Sequence, residues 1–261
     1  MKKSYRFELC AETLEAAIAA ELGGADRIEL CRDLRVSGLT PGPELLAATL
    51  RNLTIPIHVL IRPRAGNFVY SAEEFAQMAG EIDQAKAAGA AGIAVGILLP
   101  NGRVDIVRTR ELAERARPMH VTFHRAFDEV GNHDEIGNRD QVARDGQPAN
   151  HDTLRQALED VIRTGADTLL TSGGAANVLE GAATLGRLVA QAGDRIEIMA
   201  GGGLKLANLV EVVTRSGATT LHGSLSRPRA ADTPEETQQT LVADIREAIR
   251  LLEHESLGVT S

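Results

Sequence analysis

The sequence predicts an α/β protein folded as a TIM-barrel-like (β/α)8 barrel, and three observations carry that reading. The 261 residues divide into eight strand-then-helix units of roughly 30 residues, the count and length of such a barrel. The dipeptide Gly-Ala recurs in the turn before every second strand, at Gly24-Ala25, Gly89-Ala90, Gly165-Ala166 and Gly217-Ala218, as expected of doubled units. Several strands also end in titratable groups, where α/β proteins carry their chemistry. The rival is an open doubly wound sheet, but no Gly-x-Gly-x-x-Gly opens a first helix. Incomplete closure of the barrel stays open at this level. The chain, 1–261, reads as a single barrel domain with an irregular insertion at about 129–152.

Phe7 to Cys10 alternates apolar and polar residues and predicts the first strand. Glu12 to Leu22 follows with helical spacing through Leu14, Ala17, Ile18 and Leu22. Arg27 to Cys31 is the second strand. Gly38, Pro41, Gly42 and Pro43 lead to a helix over Glu44–Leu53. Ile55–Ile61 predicts the third strand, Ala72–Ala88 a helix, and the wholly apolar Gly92–Leu98 the fourth strand. Ile106–Arg115 is helical, and Val121 starts the strand that runs into His124, Arg125 and Asp128. Glu129–Asp152 has no apolar period and is longer than an ordinary βα loop, so it reads as a surface insertion able to act as a lid. His133 and His151 lie in it and read as solvated loop residues. Helices over Thr153–Thr164, Leu179–Ala190, Leu206–Arg215 and Pro234–Glu253 then alternate with strands at Thr168–Thr171, Arg195–Ala200 and Thr219–His222.

The bulk numbers exclude several function classes. Apolar residues make up 43% of the chain but aromatic ones only 3%, and Trp is absent, so the core must be built from Ala, Val, Leu and Ile. A net charge of -8 argues against nucleic acid or an anionic membrane as partner. No apolar run approaches the roughly 20 residues that span a bilayer, and the basic start, Lys2-Lys3, is followed by an alternating strand rather than an apolar signal segment. The expected location is cytoplasmic, with both Cys reduced. The barrel helices leave room for a homodimer without an apolar stripe that demands one, and no organic cofactor is indicated.

Strand side chains alternate faces. With the apolar set against the helices, Glu8, Cys10, Glu29 and Cys31 point into the barrel, as do His58 and Arg62, Thr122 and His124, and Thr220 and His222. One mouth then collects Glu8, Glu29, Arg62, His124 and His222. Carboxylates there need partners, since a buried unpaired charge costs several kcal/mol, and Arg62 and His124 are the natural ones. Such a set serves a structural ion network or a site with an acid or base beside cationic clamps. The acid or base candidates are Glu8, Glu29, His124 and Asp128. Arg62, Arg64 and Arg125 are candidate anion clamps. The turns Ser172-Gly173, Gly201-Gly202-Gly203 and His222-Gly223-Ser224 offer bare backbone N–H groups of the kind that bind phosphate in many barrels. Cys10 and Cys31 hold equivalent places on adjacent strands, which lie about 4.8 Å apart. On spacing alone they fit two small core residues, and also a soft two-thiolate site suited to Cu(I).

Phe7-Glu8-Leu9-Cys10, Gly24 to Cys31, Ile61-Arg62-Pro63-Arg64, Thr122 to Asp128, Leu170-Thr171-Ser172-Gly173 and Met199 to Gly203 together resemble the CutC copper homeostasis family, in order along nearly the whole chain. The run Thr122-Phe123-His124-Arg125-Ala126-Phe127-Asp128 is the most specific part. The resemblance implies a TIM-barrel-like fold, a cytoplasmic location, a role in copper homeostasis and Cu(I) binding at Cys10 and Cys31. Two departures stand out. Asn67 replaces the Asp usual in the third loop, and the insertion from Glu129 to Asp152 is longer than the family's loop. A copper carrier needs two or three soft ligands and has no use for Arg62, His124, Arg125 and a Gly-rich cradle. The second hypothesis is therefore a barrel enzyme acting on a small anionic substrate, with or without a phosphate group, at the C-terminal mouth. Copper binding would depend on Cys10 and Cys31; anion binding would depend on Arg62, His124 and the Gly201 loop.

Overall fold

A computed structural model describes residues 4–131, 151–225 and 233–256. Its eight parallel strands are β1 (Arg6–Ala11), β2 (Arg27–Leu30), β3 (Ile57–Leu60), β4 (Gly92–Val95), β5 (His120–Phe123), β6 (Thr168–Thr171), β7 (Glu197–Gly201) and β8 (Thr220–Gly223). They pair in sequence order, and β8 returns to β1 with Glu8 beside His222. The barrel is closed, which removes the open-sheet alternative and the incomplete-closure alternative.

The helices among the described residues are α1 (Leu14–Gly23), α2 (Pro43–Asn52), α3 (Ala72–Ala88), α4 (Ile106–Ala116), α5 (His151–Arg163), α6 (Ala182–Ala192), α7 (Leu206–Ser216) and α8 (Pro234–Ser256). None is long and apolar enough to cross a membrane. The last helix seals the ring against the first: Arg246 Nη2 donates to the Leu22 carbonyl at 3.2 Å and Gln238 Nε2 to that of Glu15 at 3.3 Å. Between helices and strands lies a core of Ala, Val, Leu and Ile, with Phe7, Phe123 and Phe127 its largest fully buried side chains.

The expected elements shift only at their ends. Helix α1 starts at Leu14 because the Thr13 side chain caps it, accepting from the Ala16 N–H. Helix α6 starts at Ala182 rather than Leu179, because residues before it turn back on Asn177, whose side-chain oxygen accepts from the N–H groups of Leu179 and Glu180. The apolar run Gly92–Leu98 is strand only as far as Val95; Leu98 leaves the barrel to pair antiparallel with Val104. Two 3-10 turns, Leu34–Val36 and Arg125–Glu129, were not legible from periodicity. The insertion expected over 129–152 lies mostly outside the described residues, as do His133 and the side chain of His151. At its end the expectation needs correction, since α5 already begins at His151.

The recurrent Gly-Ala turn is explained by helix termination. Gly24, Gly89, Gly165 and Gly217 all follow a helix with φ between 69° and 96°, a left-handed conformation that L side chains disfavour. The alanines after them are buried beneath the helix ends. At Gly165 and Gly217 a Cβ would meet no atom within 4 Å, so substitution there isolates the backbone cost. Gly217→Ala and Gly165→Ala should each lower stability by about 1 kcal/mol in urea denaturation, with an unchanged slope. An effect near zero at both would contradict this account.

Candidate functional site

Period-two alternation sends three layers of polar side chains into the barrel. The lowest joins Glu197 to Thr168 and Thr220, whose hydroxyls donate to it at 3.2 and 2.7 Å. Above it, Arg27 donates through Nε to Glu8 and crosses the barrel to Met199 Sδ at 3.3 Å. His58 places Nδ1 3.7 Å from the Glu8 carboxylate. His222 Nδ1 lies 2.7 Å from Glu8 Oε1 on the other side. Burial pushes the Glu8 carboxyl up, but the His222 hydrogen bond and the charges of His222, Arg27 and His58 outweigh it and hold it at about 2. His222 is pulled the other way: burial lowers it, while Glu29, Cys10 and Glu8 raise it well above the ordinary histidine range.

The top layer opens into a cavity of 180 Å³ at the C-terminal mouth, where Cys10, Glu29 and His222 meet. Their ligand atoms lie within 4.8 Å of one another. Cys10 Sγ donates to Glu29 Oε1 at 3.6 Å and lies 3.5 Å from Cys31 Sγ. Both thiols are free, Cys10 at the cavity wall and Cys31 wholly buried behind it with Leu60 and Ala94. The Cys31 contact, burial and the Glu29 charge push the Cys10 thiol well above its ordinary value. Burial likewise raises the Glu29 carboxyl, with Glu8 adding to it and His222 opposing.

His124 lines the same cavity and is 4% exposed. Its Nδ1 accepts from the Ala126 N–H at 3.2 Å, and its ring packs 5.0 Å from Phe68. Gly96 leaves the space for it, since a Cβ there would stand 2.7 Å from Nδ1. Burial, then the positive charge of Arg62, drives His124 down to about 3. It is therefore a neutral ring at physiological pH.

The other expected site residues divide into those brought to the mouth and those turned to local architecture. Arg62, Arg125, Gly202, Gly203, His222 and Ser224 line the cavity. Arg62 also ties down two loops, donating to the carbonyls of Val36, Gly38 and Gly66 at 2.7, 2.9 and 3.0 Å. Arg64 does not reach the mouth; it pairs with Glu74 at 2.5 Å and bonds the Val69 carbonyl at 2.7 Å. Glu8 lies below the mouth, and its partners are Arg27 and His222 rather than Arg62 and His124. Asp128 serves as a latch between the β5 and β6 loops, accepting from the Thr171 hydroxyl, the Ser172 and Gly174 N–H groups and Arg125 Nε. The Ser172-Gly173 turn thus offers no empty cradle. Its N–H groups bond Asp128 and the Thr171 hydroxyl, and the Ser172 hydroxyl donates to the Ala175 carbonyl. Gly201 sits against Leu170 and His222 at the end of β7. Arg27 and Glu197 went unassigned from sequence, although Arg27 is two residues before Glu29 and so on the same strand face.

A closed (β/α)8 barrel with a Cys-Glu-His cluster at its C-terminal mouth defines the class. A model of the CutC family matches residues 5–143 and 149–227, and the chain belongs to that family. A CutC family protein of Chromobacterium violaceum is 43% identical over 217 residues, covering 83% of this chain and 79% of that one. One from Xanthomonas campestris pv. campestris strain 8004 is 39% identical over 256 residues, 94% of this chain and 98% of the other. Among solved structures, a Streptococcus agalactiae protein provisionally assigned as the copper homeostasis protein CutC superposes with a TM-score of 0.73 at 27% identity. It covers 85% of this chain and 99% of its own.

Proposed function

We propose that the protein binds Cu(I) at the mouth of its barrel, through the thiolates of Cys10 and Cys31 with His222 beside them, and acts in copper homeostasis in the cytoplasm. The observation that carries the reading is the pair of reduced sulfurs 3.5 Å apart, with Glu29 and His222 converging on Cys10. A metal–thiolate bond of about 2.3 Å sets two sulfurs on one ion roughly 3.8 to 4.6 Å apart, so the pair needs only a small separation to hold a metal. Soft sulfur and imidazole donors suit Cu(I) better than hard divalent ions. His222 is oriented as metal-binding histidines are, with Nδ1 held by the Glu8 carboxylate and the ring set beside Cys10, where a metal would displace the proton it carries. The provisional name of the Streptococcus agalactiae relative supports the biological role, and a thiol pair that stays reduced suits a reducing compartment.

The test is anaerobic titration of the reduced protein with Cu(I) against a competing chelator, repeated with Zn(II). One Cu(I) should bind tightly, and Cys10→Ser and Cys31→Ser should each weaken it by at least about tenfold. Binding that ignores both substitutions, or a site that takes Zn(II) and not Cu(I), would sink the proposal.

A further inference from the structure

The copper reading leaves part of the mouth unused. His124 follows directly after β5 and caps the turn Arg125–Glu129, four strands around the ring from the β1 strand of Cys10. Since its Nδ1 accepts a backbone N–H, the one proton of the neutral ring is on Nε2. That Nε2 is buried and has no hydrogen-bond partner among the described residues. A buried donor left unmade costs about 1–3 kcal/mol, so it calls for a ligand acceptor. The next residue supplies positive charge. Arg125 is fixed by Asp128 Oδ2 at 2.8 Å and Ser172 Oγ at 3.2 Å, and its guanidinium rests on bare Gly202, where a Cβ would lie 2.8 Å from Cζ. Such a clamp is ordered before any ligand arrives. Beside Arg125 the wall continues through Gly202-Gly203 and Gly223-Ser224, the loops after β7 and β8, where barrels frequently hold phosphate, while Glu29 belongs to the thiol side of the same cavity. The cavity has the volume of about six water molecules, room for a phosphate and a few carbons.

We propose that this side of the mouth is a phosphate subsite, in which His124 Nε2 and Arg125 donate hydrogen bonds to a small phosphate monoester. It is independent of the thiol pair, so the cavity can hold a metal and an anion side by side.

Inorganic phosphate is the probe, titrated into the reduced, metal-free full-length protein at constant ionic strength and followed by calorimetry and phosphorus NMR. Saturable binding in the millimolar range or tighter is expected, displaced by sulfate and not by acetate. His124→Phe keeps a ring against Phe68 but removes the donor; Arg125→Gln removes the charge. Each should weaken phosphate by at least about tenfold, whereas His124→Gln, which restores an N–H donor, should recover part of the loss. Cys31→Ser should leave phosphate affinity unchanged, and Arg125→Gln should leave Cu(I) affinity unchanged. If His124→Phe does not fold, Arg125→Gln decides the matter. Absence of saturable binding to the folded protein, or affinity that ignores both substitutions, overturns the subsite. Displacement by acetate as effective as by sulfate overturns its assignment to phosphate.

Discussion

Glu8→Gln should destabilise the protein by about 3–5 kcal/mol, the usual cost of breaking a buried ion pair by removing one charge. Glu8 is 1% exposed and is the shared partner of Arg27, His222 and His58. The substitution leaves the Arg27 guanidinium, 9% exposed, with Met199 Sδ as its other partner within the barrel. Urea denaturation at neutral pH reads the loss directly. Glu8→Gln combined with Arg27→Met should recover part of it, because the double variant no longer buries an unpaired charge. The sign of the pH dependence follows from Glu8's position below its ordinary value of 4.5, at about 2. A carboxyl lowered by folding contributes stability fully above the unfolded value and loses it as pH falls through the folded one. The gap between wild type and Glu8→Gln should therefore hold between about pH 5 and 6.5 and narrow between pH 4.5 and 2; above 6.5 it narrows again as His222, which Glu8 helps to hold protonated, gives up its proton. A loss below about 1 kcal/mol at neutral pH, or a gap that widens in acid, would refute the central role given to Glu8.

Asp128→Ala should cost roughly 3 kcal/mol or more, because it strands several donors at once. The carboxylate is 8% exposed and accepts from two backbone N–H groups, a hydroxyl and Arg125. Its work is to hold the loop after β6 against the turn after β5, which in turn fixes the guanidinium of Arg125 at the mouth. Asp128→Asn has the same shape but one oxygen in place of two, so it should fall between wild type and Asp128→Ala. Thermal unfolding of the three proteins gives that order. Equal stability for Asp128→Ala and wild type would show that the latch contributes nothing, and the residue would return to the acid or base candidates.

Both residues illustrate how site and scaffold are confused in a linear reading. Glu8 is an inward titratable group on a strand and Asp128 one just past a strand's end, both patterns that mark a barrel's chemistry. The structure gives Glu8 to a polar layer beneath the mouth and Asp128 to loop geometry. Arg64 resembles Arg62 in sequence, yet the chain turns outward after Arg62 and Arg64 meets Glu74 at the start of α3.

Much of the architecture was legible because it is local. Strand alternation, helical period and the left-handed glycine after every second helix depend on residues a few positions apart, and they determined the eight units, their order and the inward face carrying Glu8, Cys10, Glu29, Cys31 and His222. The motifs shared with the CutC family were equally plain. What only the tertiary structure decided is which inward groups meet. Closing the ring brings His222 of β8 to Glu8 of β1, residues 214 apart. The register of β1 on β2 sets Cys10 beside Glu29 and lets Cys31 approach from behind. Pairing energies between charged and soft groups depend on distance and burial, and neither is written in the spacing of residues along the chain.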